Sequence, residues 1–262
     1  MRRHPLGGTG DSTGDDRERM VFVHGLEDSW RSWHPLAEAL VVPHRLDAVD
    51  LPWRAGSSHR WHRDGSAGTW LAGALDQPGG RADVLVGHSL GANAVLELLC
   101  STRPSPVRCA VLIAPFYWPP TAPVDWALFE RSKRNFRELI HGALRLRLCH
   151  RVDAIGPDIV EAMGDKAFDR IGPLGFAAWF EHFVASGQLP LERISVPVLL
   201  IASHADLGLP DGRVAAFARR LQRVDTVILD AGRDHFCHVT CAKVTAEPIV
   251  DFVRSTTRAE HR

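Results

Sequence analysis

A serine with a glycine two positions away on either side stands in Gly87-His88-Ser89-Leu90-Gly91. The stretch matches G-x-S-x-G, in which the serine occupies a sharp turn between a strand and a helix. The backbone of such a turn is strained, and only small residues two positions away leave room for it. The N-terminal end of the following helix would also favour negative charge that develops beside the serine. The pattern predicts that Ser89 is a catalytic nucleophile, and an ordinary structural turn is the alternative.

The residues around Ser89 predict the strand and the helix that this turn needs. An apolar run at residues 83–87 is typical of a buried strand, and residues 91–100 have the pattern of a helix. Apolar runs predict further strands at residues 20–24, 46–51, 107–114, 196–203 and 226–229. Helices are predicted between them at residues 33–40, 61–75, 214–221 and 244–254. This alternation predicts an α/β fold with about six strands in a mostly parallel sheet and helices on both faces.

Residues 116–194 interrupt the alternation and form what we call the insertion. Helical patterns cover residues 124–148, 157–167 and 175–185, and no strand is predicted among them. The aromatic residues of the insertion need a surface to cover, so we interpret it as a lid over the carboxyl ends of the strands rather than as surface decoration. The predicted organisation is a disordered tail at residues 1–19, a core at residues 20–115 and 195–257, and a lid at residues 116–194.

The composition is that of a globular protein without a nucleic-acid or membrane surface. Of 262 residues, 45% are hydrophobic and 24% are charged, and 31 basic residues balance 31 acidic ones. Zero net charge argues against nucleic acid or an anionic membrane as the main partner. Five cysteines, an odd number, argue against a disulfide framework. The first twenty residues lack the apolar run of a signal peptide and no apolar stretch could span a bilayer, so we expect a cytoplasmic protein.

The chain resembles the α/β-hydrolase superfamily over residues 20–254. Residues 87–91 correspond to its nucleophile elbow, and His24-Gly25 follows the first strong strand, as the superfamily's oxyanion loop does. Asp50-Leu51-Pro52 ends the next strand like the superfamily's D-x-P turn, although Trp53-Arg54-Ala55-Gly56 replaces the usual Gly-His-Gly continuation. The resemblance implies the α/β-hydrolase fold and a serine, acid and histidine triad in this chain order.

The resemblance also implies the partners of Ser89. Asp206 follows the strand predicted at residues 196–203, where the superfamily often has its acid, and a loop aspartate or a helix cap is the alternative. His235 lies just past the last strand, where the superfamily has its catalytic histidine. The loop before His235 is longer than usual, which makes His238 a rival. In such a triad the carboxylate fixes the tautomer of the histidine, and the histidine is the general base.

Two further sets of residues are assigned by the same resemblance and by position. The backbone N–H groups of Leu26 and Leu90 are implied as the oxyanion hole, with plain packing as the alternative for Leu26. Trp30 and Trp53 lie on loops at the carboxyl end of the sheet, and Trp118 opens the insertion. These tryptophans would line an apolar substrate pocket, and core packing is the alternative.

A metal site is the competing interpretation of the histidine segment. His235, Cys237, His238 and Cys241 are residue types that zinc favours, and they lie close together in the sequence. Their spacing lacks a second, distant pair of ligands, and the segment is already explained as a catalytic loop that enters a helix. We therefore expect neither a metal nor a cofactor.

The expected function is a serine hydrolase that cleaves an ester or thioester of a small, largely apolar metabolite through an acyl-enzyme on Ser89. A lyase that eliminates a carboxylate such as acetate, or an acyltransferase, could use the same fold and triad. A ligand receptor without enzymatic activity is a third class, because the fold alone does not determine function. The expected partner is a small acyl substrate, and a homodimer is left open. The unusual Trp53-Arg54 turn is a hint of specialised metabolism.

Overall fold

A single sheet organises the chain in the computed structural model, which describes residues 2–6, 17–77, 80–102, 106–149, 151–204, 206, 211–230 and 235–260. The strands of these residues are β1 (Arg2–Pro5), β2 (Arg19–Val23), β3 (Arg45–Asp50), β4 (Val84–His88), β5 (Cys109–Ile113), β6 (Val198–Ser203) and β7 (Val224–Leu229). They pair in the order β1-β3-β2-β4-β5-β6-β7. All neighbours are parallel except β1 and β3, which are antiparallel. The sheet confirms the predicted α/β-hydrolase fold.

Helices follow most of the strands, as parallel pairing requires. They are α1 (His34–Ala39), α2 (Trp61–Asp64), α3 (Ala67–Leu75), α4 (Leu90–Cys100), α5 (Trp126–Leu148), α6 (Arg151–Ile155), α7 (Pro157–Ala185), α8 (Asp211–Ala218), α9 (Cys237–Thr240) and α10 (Ala242–Glu260). Short 3₁₀ helices cover Trp30–Trp33, Ser186–Gln188 and Leu191–Arg193. Across the described residues, none of these helices is both long and apolar enough to cross a membrane.

The N-terminal strand β1 corrects the prediction of a disordered tail over residues 1–19. Residues Arg2–Pro5 pair with β3, and the Arg3 guanidinium donates a hydrogen bond of 3.0 Å to the carbonyl of Gly80. Residue 1 and residues 7–16 of the predicted tail lie outside the described residues, whereas Arg19 already belongs to β2. The sheet consequently has seven strands rather than about six.

The two faces of the sheet carry separate hydrophobic layers because successive strand residues point in opposite directions. In β2, Val21 and Val23 belong to one layer, whereas Met20 and Phe22 belong to the other. All four side chains are completely buried. Burial of an aliphatic side chain of this size contributes about 1.5–3 kcal/mol. The loops with Ser89, Asp206 and His235 begin at the carboxyl ends of the buried strands β4 and β6 and of β7.

The insertion is helical, as predicted, and contains α5, α6 and α7 between β5 and β6. Helix α5 begins after Asp125, whose side chain accepts a hydrogen bond from the N–H of Leu128. The helices predicted at residues 157–167 and 175–185 are joined in α7 across a kink at Gly172, where φ is 64°. That the insertion acts as a lid stays a prediction.

The helix predicted at residues 61–75 is divided in two. Helix α2 ends at Gly65, and a new helix, α3, begins after Ser66. The Ser66 side chain accepts a hydrogen bond from the N–H of Thr69, which is the usual arrangement of an N-cap. The division places Trp61 at the start of one short helix, with its side chain buried against Trp53.

Candidate active site

Ser89 occupies a strained turn between β4 and α4. Its backbone has φ 52° and ψ −122°, a conformation that residues other than glycine rarely adopt. A Cβ at Gly87 would lie 2.6 Å from the Cα of Ala92, and a Cβ at Gly91 would lie 2.2 Å from the carbonyl oxygen of Val23. Both glycines are therefore required by the close approach of neighbouring backbone. Strain of this kind is retained where the surrounding structure imposes it, and it is concentrated at functional sites.

Asp206 and His235 form a buried hydrogen-bonded pair. The distance between His235 Nδ1 and Asp206 Oδ1 is 2.9 Å, and the two residues are 6% and 3% exposed. Because a carboxylate accepts, the pair places the imidazole proton on Nδ1 and leaves Nε2 as the ring nitrogen that can take a proton. Asp206 is held by its own backbone, since its N–H donates to the carbonyl of Ser203 at 3.0 Å. The arrangement is that of a general base with its orienting acid.

The histidine loop is attached directly to the turn that carries Ser89. Nε2 of His88 donates a hydrogen bond of 2.9 Å to the backbone carbonyl of His235, and the two imidazole centroids are 4.8 Å apart. Burial lowers the pKa of His88 well below its ordinary value, so His88 is neutral. This hydrogen bond joins His88, the neighbour of Ser89, to the backbone of His235. It therefore limits how far the histidine loop can lie from the turn that carries Ser89.

His238, the rival base, lies behind this arrangement. It is completely buried, and its ring packs at a tilt against those of His88 and Trp33, with centroid distances of 4.1 and 4.7 Å. Burial lowers the pKa of His238 to about 3. Neither of its ring nitrogens has a hydrogen-bond partner among the described residues. The structure thus pairs His235, and not His238, with Asp206.

The loop that carries Leu26 is held beside Ser89 by its preceding residues. His24 is completely buried, and its Nε2 accepts a hydrogen bond of 3.0 Å from the N–H of Leu51. A Cβ at Gly25 would lie 3.3 Å from the Cβ of Ser89, so the two segments are in contact. Leu90 is the first residue of α4, and its N–H lies outside the hydrogen-bond pattern of the helix. This geometry is compatible with the predicted oxyanion hole of Leu26 and Leu90, which stays a prediction.

The three tryptophans predicted to bind substrate have different positions. Trp53 is completely buried and its Nε1 donates to the carbonyl of His24 at 2.9 Å, so the predicted pocket role is wrong and the residue supports the oxyanion loop. Trp30 is half-buried and stacks on His4 of β1 at 4.3 Å, and its role in the pocket stays a prediction. Trp118 is 7% exposed, and its role in the pocket stays a prediction.

A cavity of about 270 Å³ lies between the histidine loop, the segment after Leu26 and the insertion. Its apolar wall includes Leu146 of α5 and Phe236, the neighbour of His235. A Cβ at Gly142 would lie 3.3 Å from the ring of Phe236, which shows how closely α5 approaches this loop. The remaining lining residues are Glu27, Asp28, Ser29, Arg31, Ser32, Pro35, Ala143, Arg147, Cys149 and Val239.

The alternative of zinc at His235, Cys237, His238 and Cys241 finds no support in the geometry. In the described part of the chain, two groups of three potential ligand atoms lie within 4.8 Å of one another. These are Asp28, His88 and His238, and His141, Glu161 and Asp165. Neither group contains a cysteine, and the Nδ1 of His235 is occupied by Asp206.

Two predicted loops fall partly on positions whose structure is not described. Residue 205 and residues 207–210 flank the acid, and residues 231–234 precede the base. The extra length predicted for the loop before His235 therefore lies outside the described residues. Asp206 and His235 themselves are described, and their hydrogen bond establishes the pairing.

Sequence reasoning missed residues that surround this site. Glu27 follows Leu26 and is 1% exposed, and it contacts Arg147 and Arg170 of the insertion. Asn93 of α4 also anchors the site, because its side chain makes two hydrogen bonds with the backbone of Phe116, of 2.9 and 3.0 Å. The sequence did offer a signal for Asn93, because it is a polar residue at a core-facing position of the predicted helix. No sequence pattern marked Glu27.

Known proteins resemble this chain in sequence and in structure. A sequence model of the alpha/beta hydrolase family matches residues 20–247. The lipase LipV of Mycobacterium tuberculosis is 35% identical over 102 residues, which span 37% of this chain and 37% of that lipase. A membrane phospholipase A described as a bacterial virulence factor has a TM-score of 0.68 at 19% identity, covering 93% of this chain and 81% of its own. The enol-lactonase of Burkholderia xenovorans LB400 has a TM-score of 0.64 at 19% identity, covering 97% and 96%. The family match extends over most of the chain, and the chain belongs to the alpha/beta hydrolase family.

Proposed function

We propose that the protein is a serine hydrolase that cleaves an ester or thioester through an acyl-enzyme on Ser89. One observation carries the proposal: the buried pair of Asp206 and His235 is hydrogen-bonded, through the backbone carbonyl of His235, to the residue that precedes Ser89. In the proposed triad, the histidine that the carboxylate orients activates the serine hydroxyl. The sequence similarity to a lipase supports the same class.

The proposed reaction begins when Ser89 Oγ attacks the carbonyl carbon of the substrate and His235 Nε2 takes its proton. The carbonyl oxygen becomes an oxyanion that accepts hydrogen bonds from the N–H groups of Leu26 and Leu90. Its collapse breaks the bond to the alcohol or thiol, which leaves with the proton from His235. A water molecule then attacks the acyl-enzyme in the same way and releases the acid and free Ser89.

The cavity beside Phe236 supports a small acyl group as the substrate. Ligand pockets of drug-sized molecules enclose roughly 300–1,000 Å³, and this cavity of about 270 Å³ lies just below that range. Apolar side chains such as Leu146, Pro35 and Val239 form part of its wall. We propose that this cavity, between the insertion and the histidine loop, receives the acyl chain while the insertion acts as a lid over it.

Labelling of Ser89 tests the nucleophile. A fluorophosphonate probe should add its mass once to the purified protein, because it reacts with an activated serine hydroxyl. We expect Ser89→Ala to abolish the added mass, measured by intact-protein mass spectrometry. The control is Ser101→Ala, which changes an exposed serine just after α4 and should label like the wild type. Labelling that persists in Ser89→Ala would contradict the proposal.

Hydrolysis in ¹⁸O-labelled water separates the hydrolase from the lyase. In the acyl-enzyme route water attacks the acyl carbon, so the released acid contains one labelled oxygen. In an elimination the carboxylate leaves with both of its original oxygens and an alkene remains. We expect labelled acid, because oxyanion donors beside a nucleophilic serine stabilise a tetrahedral intermediate. Unlabelled acid together with an alkene would contradict the proposed hydrolase and indicate a lyase with the same fold.

A further inference from the structure

Glu27 is a buried carboxylate in the position directly after Leu26. Its side chain is 1% exposed, and its backbone has φ 54°, in the region that favours glycine. The N–H of Glu27 donates a hydrogen bond of 3.0 Å to the carbonyl of Trp53. The turn that presents the N–H of Leu26 is therefore strained and depends on contacts that hold the next residue.

Two arginines of the insertion supply such contacts. The Arg170 guanidinium, on α7, forms an ion pair with Oε2 of the Glu27 carboxylate. The Arg147 guanidinium, on α5, donates a hydrogen bond of 3.1 Å to the backbone carbonyl of Glu27. The side chain and the main chain of one residue are thus held by two different helices of the insertion.

A residue outside the insertion, His59, also lies close to the Glu27 carboxylate. Nε2 of His59, a buried residue in the segment after β3, lies 3.4 Å from Oε1 of Glu27. Burial lowers the pKa of His59, so the imidazole is neutral and Arg170 is the cation that balances Glu27. A carboxylate this deeply buried requires such a partner, because an unpaired charge in the interior is strongly unfavourable.

We propose that Glu27 is a positioning residue that couples the insertion to the oxyanion hole. When α5 and α7 are in place, Arg147 and Arg170 hold Glu27, and the strained turn keeps the N–H of Leu26 directed at the reacting oxygen. Without Arg170, the carboxylate loses its cation and the turn relaxes. The geometry of the oxyanion hole thereby depends on contacts from the insertion. The inference rests on the proposed serine hydrolase function.

Single substitutions of the two arginines test the coupling. We expect Arg147→Ala and Arg170→Ala each to slow acylation by about tenfold or more, because complete loss of an oxyanion donor costs about 10²–10³ in kcat. KM for a small ester such as p-nitrophenyl acetate should change little, since the donor acts on the transition state. Arg170→Lys retains the cation and should restore most of the rate. The rate of labelling by the fluorophosphonate probe gives an independent measure of the same step.

The matched control breaks a contact within the insertion. Arg137 of α5 donates a hydrogen bond of 3.0 Å to Asp165 of α7, and neither residue contacts Glu27. Arg137→Ala should lower the melting temperature of the insertion helices without slowing acylation. If Arg170→Ala fails to fold, Arg147→Ala decides the question, because it leaves the carboxylate and its cation in place.

Two outcomes would overturn the coupling. Acylation by Arg147→Ala and Arg170→Ala at the wild-type rate would show that Glu27 is only structural. A loss no larger than that of Arg137→Ala would mean that general loosening of the insertion is the cause. Failure of the proposed function is recognised separately, because the wild-type protein itself would then not be labelled on Ser89.

Discussion

The imidazole of His88, next to Ser89, packs against those of His235 and His238, but the three rings differ in what they can do. His88 and His238 are completely buried or nearly so, and burial lowers both of their pKa values, that of His238 to about 3. At neutral pH these two rings are uncharged. His235 alone of the three has a carboxylate partner, Asp206, which stabilises the imidazolium that forms when a base takes a proton.

This difference predicts opposite effects of two alanine substitutions. His235→Ala should lower the acylation rate by about 10²–10⁴, the contribution of a general base. His238→Ala should instead lower the melting temperature, because it removes a completely buried ring, and the folded fraction should acylate within about tenfold of the wild type. Single-turnover kinetics and thermal melts measure the two effects. A larger kinetic loss in His238→Ala would assign the base to that residue.

At the same scale, the sequence predicts some site residues and not others. Ser89 is recognisable because its flanking glycines are required by the local backbone, and that requirement appears in five consecutive residues. Trp53 was assigned wrongly, because an aromatic residue on a loop looks the same whether tertiary packing buries it or a ligand covers it. Glu27 was missed because the arginines that balance its charge are more than a hundred residues away in the sequence.

At the scale of elements, the strands inside the sheet and the edge strand β7 were predicted, and the other edge strand, β1, was not. A strand buried on both faces is mainly apolar, which is visible in the runs VLV of β4 and CAVLI of β5. Strand β1 is RRHP, and its side chains are exposed or half-buried at the sheet edge, so no apolar run marks it. The sequence also did not predict that the helical patterns at residues 157–167 and 175–185 join across a kink at Gly172. Glycine and proline at that point indicate the end of a helix just as well as a kink within one.

At the scale of the whole molecule, one of the two hydrophobic layers continues from the sheet into the insertion. Leu85 of β4 and Phe136 of α5 belong to the same cluster, and the rings of Phe136 and of Trp179 in α7 pack at a tilt with centroids 5.2 Å apart. Removal of the insertion would expose this layer to water. Deletion is therefore a poor test of the role of the insertion. The cavity between the insertion and the histidine loop can be changed without disturbing the layer.

A larger side chain in this cavity should change the preferred acyl chain length. Ala143→Leu adds apolar volume to the wall that α5 contributes. The larger side chain should weaken binding of the transition state more for long acyl chains than for short ones. We expect the ratio of kcat/KM for p-nitrophenyl octanoate over acetate to fall about tenfold or more, since pockets discriminate one methylene by about 1–3 kcal/mol. Ala127→Leu makes the same change at an exposed position of α5 and should leave the ratio unchanged. Equal ratios in both variants would place the acyl chain elsewhere and leave the insertion without a part in substrate choice at this border.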